Sequence, residues 1–215
     1  LNFTAWSTAV PPFSPSRMYQ YNTTRMYAGG SLDDDSGAYV FDACEAVEKA
    51  RVAATSAFGY TLANFSTPPP LSAVRSAAAA PWDSTFDYVL LLPNGPQNGT
   101  DLATMKDYLV QGCALVFGYL FYRDAMAAAE TTPFICPTPA LTTDVLEGGH
   151  CVCIFGYDDN VPVAAEGVGV KGVFKCRNSW GSAWADGGNF YMSYASMRDV
   201  GFDVYACGSS SNSPP

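Results

Sequence analysis

Apolar residues change their spacing part-way along this chain. In "DSGAYVFDACEAVEKARVAATSAFGY" they fall at Val40, Phe41, Cys44, Val47 and Ala50, mostly three or four residues apart, which predicts an amphipathic helix. Lys49 and Arg51 lie near its C-terminal end, where cations complement the helix dipole. "STPPPLSAVRSAAAAP" opens on prolines and stops at Pro81, so it predicts a short Ala-rich helix. Beyond it, short apolar runs bounded by turn residues take over. "FDYVLLL" predicts a strand. "DLATMKDYLVQG" predicts a helix capped by Asp101 or Thr100 and stopped at Gly112, and "CALVFGYLFY" predicts a buried strand. Three more strands are expected over residues 150–157, 172–178 and 189–194, and the tail from Gly208 reads as disordered.

A helix-rich first part followed by a strand-rich second part predicts an α+β protein of two lobes with a cleft between them. The helical lobe is expected over residues 1–85 and the β-rich lobe over 86–207, with the tail at 208–215. A chain of 215 residues is long enough for a substantial core. Its composition, 48% apolar and 14% charged, is that of a globular protein. The net charge of −9, with no cluster of Lys and Arg, argues against nucleic acid as a partner. The longest charge run, Asp33-Asp34-Asp35, reads as a solvated turn. No stretch is apolar for the ~18 residues a membrane span needs, so no membrane partner is expected. Leu1 is not an initiator methionine, and the chain reads as a processed or recombinant piece of something longer.

Seven cysteines and one histidine are present. Cys151 and Cys153 are too close in sequence for the usual metal pair, and only one histidine is present, so no structural zinc site is expected. Four sequons, at Asn2, Asn22, Asn64 and Asn98, offer glycosylation sites in a secretory compartment.

The single histidine lies in "GGHCVCIFGYDD". On that strand His150, Val152 and Ile154 share one side. On "GVFKCRNSW", Phe174, Cys176 and Asn178 share a side and Lys175 and Arg177 face the other way. If the two strands pair as a hairpin through residues 158–171, His150 and Asn178 meet at one end of the sheet. The amide oxygen of Asn178 would then accept the imidazole N–H and fix its tautomer, with Trp180 covering the bond.

These two segments, "GGHCVCIFGYDD" and "FKCRNSWGSAWADGGNFYMSY", resemble the His and Asn segments of the papain-like cysteine peptidases. The matching residues are Gly148, Gly149, His150, Gly156, Tyr157, Asp158, Asn178, Ser179, Trp180, Gly181, Trp184 and Gly188. "SPSRMYQYNTTR" and Asp35-Ser36-Gly37 resemble bacterial and large-virus members more than plant or animal ones. The resemblance implies a two-lobed fold and a Cys–His–Asn endopeptidase acting through a thioester on a peptide or protein in the interlobe cleft. It implies His150 as base, Asn178 as its orienter, Trp180 as support, and no cofactor. A secreted, lysosome-like or virion-associated setting goes with it.

The nucleophile is harder to place. In the family a cysteine opens a helix ~130–150 residues before the histidine. "LNFTAWSTAV" resembles the start of that helix, and the cysteine position then falls on Phe3, 147 residues before His150. A phenylalanine has no nucleophilic atom. Three readings stay open: the cysteine lies upstream of Leu1 or on a second chain; the protein is an inactive pseudopeptidase that binds peptides or a partner; or another cysteine has been recruited. Gln111-Gly112-Cys113 mimics the nucleophile signature but begins a strand. Cys44 reads as a small core residue, Cys151, Cys153 and Cys176 as core or disulfide positions, and Cys136 and Cys207 as candidate disulfide partners.

Overall fold

The computed structural model describes residues 14–80 and 86–209. The calls on Phe3, on Asn2 and on most of the tail therefore lie outside the described residues. The fold is α+β, with helices and a seven-stranded sheet. The chain divides into two compact units, with the main break at Asp87/Tyr88, two residues into the first strand. Gly208 and Ser209, at the end of the last strand, group with the first unit.

The first unit is helical. Helix α1 spans Arg17–Tyr27, α2 Val40–Ala50, α3 Leu62–Phe65 and α4 Leu71–Ala79. Ser16 starts α1 because its Oγ accepts the Tyr19 N–H at 2.9 Å, satisfying one of the donors that every helix start leaves open. On α2, Val40, Cys44 and Val47 are buried as their spacing predicts, whereas Phe41 is exposed. The core joins Met18 and Tyr19 of α1 to Ala53, Phe58, Ala73 and Ala77. Small alanines on α4 let that helix pack closely.

Arg25 is buried at the centre of this unit. Its guanidinium donates to the carbonyls of Asp34 and Phe65, at 2.8 and 2.7 Å, and to Asn22 Oδ1 at 2.9 Å. It also stacks over the Tyr21 and Phe65 rings. The charge is tolerated because oxygens replace its water. Asn22 is equally occupied: it is buried, and its amide donates to the carbonyls of Asn64 and Thr67. The expectation that Asn22 is a glycosylation acceptor is therefore corrected, since a glycan needs that amide free in solvent.

The second unit holds β1 Phe86–Leu92, α5 Gly99–Val110, β2 Ala114–Tyr122, α6 Arg123–Ala128, β3 Ile135–Cys136, β4 Leu146–Pro162, β5 Lys171–Arg177, β6 Asn189–Ser193, α7 Tyr194–Val200 and β7 Gly201–Ser209. The strand order is β1-β7-β2-β4-β5-β6-β3. β1 and β2 fall where the apolar runs predict them. Helix α5 starts earlier than expected, because Asn98 and not Asp101 or Thr100 is its cap; Asn98 Oδ1 accepts from the N–H groups of both residues. Strand β7 carries no resolved alternation in "GFDVYACGS" and is legible only through its place between β1 and β2 in the sheet.

Leu115, Phe117 and Tyr119 of β2, Val152 and Ile154 of β4, Phe174 and Cys176 of β5, and Phe190 and Met192 of β6 form one core. Cys136 sits in it as a free thiol, 4% exposed, and β3 and β7 are not neighbours in the sheet. The expected Cys136–Cys207 disulfide is thus not formed. Cys151 corrects a second expectation: it is exposed, because it lies on the opposite side of β4 from Val152.

Candidate active site

β4 and β5 pair antiparallel, and the register sets Ile154 opposite Cys176. A bulge between Ile154 and Gly156 accommodates the extra residue Phe155. His150 leaves β4 on the same side as Val152 and Ile154, opposite Tyr119 of β2. Asn178 follows the last residue of β5 and is 5% exposed. Its backbone N–H donates to Gly188 O at 3.0 Å. The pleat therefore brings the two side chains to one end of the sheet, as the strand parity predicts.

His150 Nε2 lies 3.0 Å from Asn178 Oδ1. An amide oxygen can only accept, so Nε2 carries the proton and Nδ1 is left with the lone pair. The same Oδ1 accepts the Ser179 N–H at 2.7 Å, which holds the amide in this orientation. Asn178 Nδ2 is buried with no acceptor among the described residues. Burial lowers the His150 pKa from its ordinary 6.5, and the bond to Asn178 opposes that only in part. The imidazole is thus neutral at pH 7, with a basic nitrogen.

Aromatic rings enclose the imidazole. Tyr119 and Phe121 meet it edge-on at 5.6 and 5.9 Å. Trp180 packs against it at 5.3 Å, inclined by 32°, and keeps one side in solvent at 42% exposure. Trp184 buttresses Trp180 edge-to-face at 5.0 Å, and its Nε1–H donates to Glu130 Oε1 at 3.0 Å. Glu130 is the residue that motif reading missed, and only its place before β3 brings it here. Gly188 closes the loop from β5 to β6. Its φ is +89°, and a Cβ there would stand 2.8 Å from Gly181 O.

Four of the described thiols carry no sign of activation. Burial raises the thiol pKa of Cys113, Cys153 and Cys176, and pushes that of Cys136 up to about 12. Each shift is opposite in sign to that of a nucleophilic cysteine. Cys44 is buried in the first unit. Phe3 is outside the described residues. No group of three or more potential metal ligands occurs among the described residues, and none of their helices is long and apolar enough to cross a membrane.

No family model matches the chain. It is 28% identical over 188 residues to an uncharacterized peptidase C1-like protein of Acanthamoeba polyphaga mimivirus, a match covering 87% of this chain and 56% of that protein. The chain thus spans just over half the length of this curated relative. Among solved structures it is similar to xylellain, a cysteine protease from Xylella fastidiosa, with a TM-score of 0.74 and 24% identity over 97% of this chain and 75% of that one. It also resembles the clostridial cysteine protease Cwp84, at a TM-score of 0.66 and 20% identity over 97% and 50% of the two chains. Bromelain from Ananas comosus, solved in complex with the E64 inhibitor, gives a TM-score of 0.54 at 13% identity, covering 95% and 82%.

Proposed function

We propose a function from the premise that this chain belongs with the papain-like cysteine peptidases, as its fold and its mimiviral relative support. Our reading is that it carries the His–Asn half of a Cys–His–Asn endopeptidase centre. The single observation behind this is the 3.0 Å bond from His150 Nε2–H to Asn178 Oδ1, which leaves Nδ1 as a base. A thiol beside Nδ1 would give it a proton and form an imidazolium–thiolate pair. The thiolate would attack a peptide carbonyl, Nδ1–H would protonate the departing amine, and water would hydrolyse the thioester. Asn178 holds the ring through both half-reactions, and Trp180 shields the bond. The resemblance places the nucleophile position on Phe3, which has no thiol, so this reading requires a cysteine supplied from outside this sequence. The substrate is a peptide or protein, and the setting is secreted, lysosome-like or virion-associated.

A second reading rests on the same thiols. Since burial raises those of Cys113, Cys136, Cys153 and Cys176, a protein with no further cysteine at His150 is a pseudopeptidase that binds peptides without cleaving them. Brief iodoacetamide exposure of the native protein near pH 5.5, followed by intact mass and peptide mapping, separates the two. Ordinary thiols are protonated there, whereas a thiolate paired with His150 is not. Fast labelling of one cysteine, lost in His150→Ala, is the result expected of the peptidase. Absence of fast labelling would establish the pseudopeptidase reading instead.

A further inference from the structure

The first unit contains an open cavity of about 460 Å³ lined by residues of that unit. It lies at the C-terminal ends of α1 and α2, against α4. Its volume is in the range of small-molecule sites, about 300–1,000 Å³. Met26, Pro69, Val74 and Ala78 supply apolar walls, and Met26 and Val74 stay 48% and 45% exposed. The charged side chains that line it are Lys49 and Arg51, both cationic.

The polar groups in the wall are mostly satisfied by the fold. Tyr19 OH donates to Ala50 O at 3.1 Å, and Thr23 Oγ1 donates to Tyr19 O at 2.8 Å. Lys49 pairs with Glu45 one turn back and sits over the Tyr27 ring. Arg51 differs, because its guanidinium has no polar partner among the described residues. Its backbone is strained as well. Arg51 caps the end of α2 at φ 58° and ψ −159°, next to a region that only glycine occupies readily. Its backbone N–H closes α2 on Val47 O, but its side chain makes no such bond among the described residues, so the strain is borne by a side chain that answers to something else.

We propose that this cavity binds an apolar molecule carrying a single acidic group, with the acid on Arg51 and Lys49 and the apolar body against Met26, Val74 and Ala78. A guanidinium presents two parallel N–H donors to a carboxylate, and the ammonium adds a second positive charge. None of the described residues that line the cavity is acidic, and Glu45, which competes for the cations, already holds Lys49 and leaves Arg51 to the ligand.

The probe is decanoate, with decanol and decylamine as charge controls, titrated into the native protein by calorimetry. Decanoate is expected to bind at least tenfold more tightly than either control. Arg51→Gly is expected to weaken decanoate at least tenfold while raising Tm, because glycine relieves the strain as it removes the guanidinium. Ala78→Phe, which fills the cavity from the opposite wall, is expected to abolish binding with the circular-dichroism spectrum unchanged. Equal affinity for the three probes, no decanoate binding, or full binding by Arg51→Gly would each overturn the proposal. A fall in Tm for Arg51→Gly would show that the arginine serves the fold, and would overturn it too.

Discussion

Two residues show how differently a buried polar group can be accommodated. His150 is enclosed by aromatic rings and keeps one strong hydrogen bond, so burial outweighs that bond and its pKa falls below 6.5. The folded protein then binds fewer protons than the unfolded chain between the lowered value and 6.5. Its contribution to stability is complete above pH 6.5, declines as pH falls through that window, and is flat below it. His150→Phe should abolish this acid-side slope, which urea unfolding across pH 4 to 7 would measure. Arg25 instead has its guanidinium compensated by the carbonyls of Asp34 and Phe65 and by Asn22 Oδ1. Arg25→Met would leave these acceptors unpaired in the interior, and a loss of about 3–5 kcal/mol is expected, by analogy with breaking one side of a buried charged pair. A loss under about 1 kcal/mol in denaturant melts would mean that water satisfies them instead.

At the scale of elements, the site depends on strand parity and on one loop. β4 and β5 supply His150 and Asn178, but the loop from β5 to β6 holds Asn178 through Gly188 O and carries Trp180 and Trp184. Gly188→Ala forces a side chain onto a backbone at φ +89° and within 2.8 Å of Gly181 O. A destabilisation of about 1–3 kcal/mol is expected. The loop should also release Trp180, giving a shift in tryptophan emission before global unfolding. A variant with wild-type stability and emission would show that the loop can re-form around the methyl group.

For the whole molecule, the buried thiols impose a limit on the alkaline side that mirrors the one His150 sets in acid. Cys136 and Cys176 have raised pKa values because the core solvates a thiolate poorly. Above the ordinary thiol value of 9.0 the unfolded chain loses protons that the folded one keeps, so stability falls as pH rises from there toward about 12. Between pH 6.5 and 9.0 neither His150 nor these thiols adds a pH dependence to stability. Disulfide-exchange titration should find Cys136 and Cys176 unreactive in the native state and reactive only on unfolding. Rapid native labelling of either would contradict their burial.

The helices at Val40–Ala50, Leu71–Ala79 and Gly99–Val110, the main strands β1, β2, β4, β5 and β6, the α+β class and the His150–Asn178 pair were legible in the sequence, because period and parity are local properties of a backbone and a turn carries its own residues with it. The same parity assigned Phe174 and Cys176 to the core and Lys175 to the other side. What local pattern could not supply was anything decided by a distant partner. Strand β7 exists because β2 offers it a ladder, and Asn22 is closed to modification because carbonyls forty residues away occupy its amide. Cys136 remains a thiol because the strand that holds it lies away from β7. Glu130 reaches Trp184 across 54 positions of chain. Hydrogen bonds and burial of this kind follow from three-dimensional proximity, so only the tertiary structure decided them, whereas sequence by itself determined the core sides of α2 at Val40, Cys44 and Val47 and of β4 and β5 at Val152, Ile154, Phe174 and Cys176.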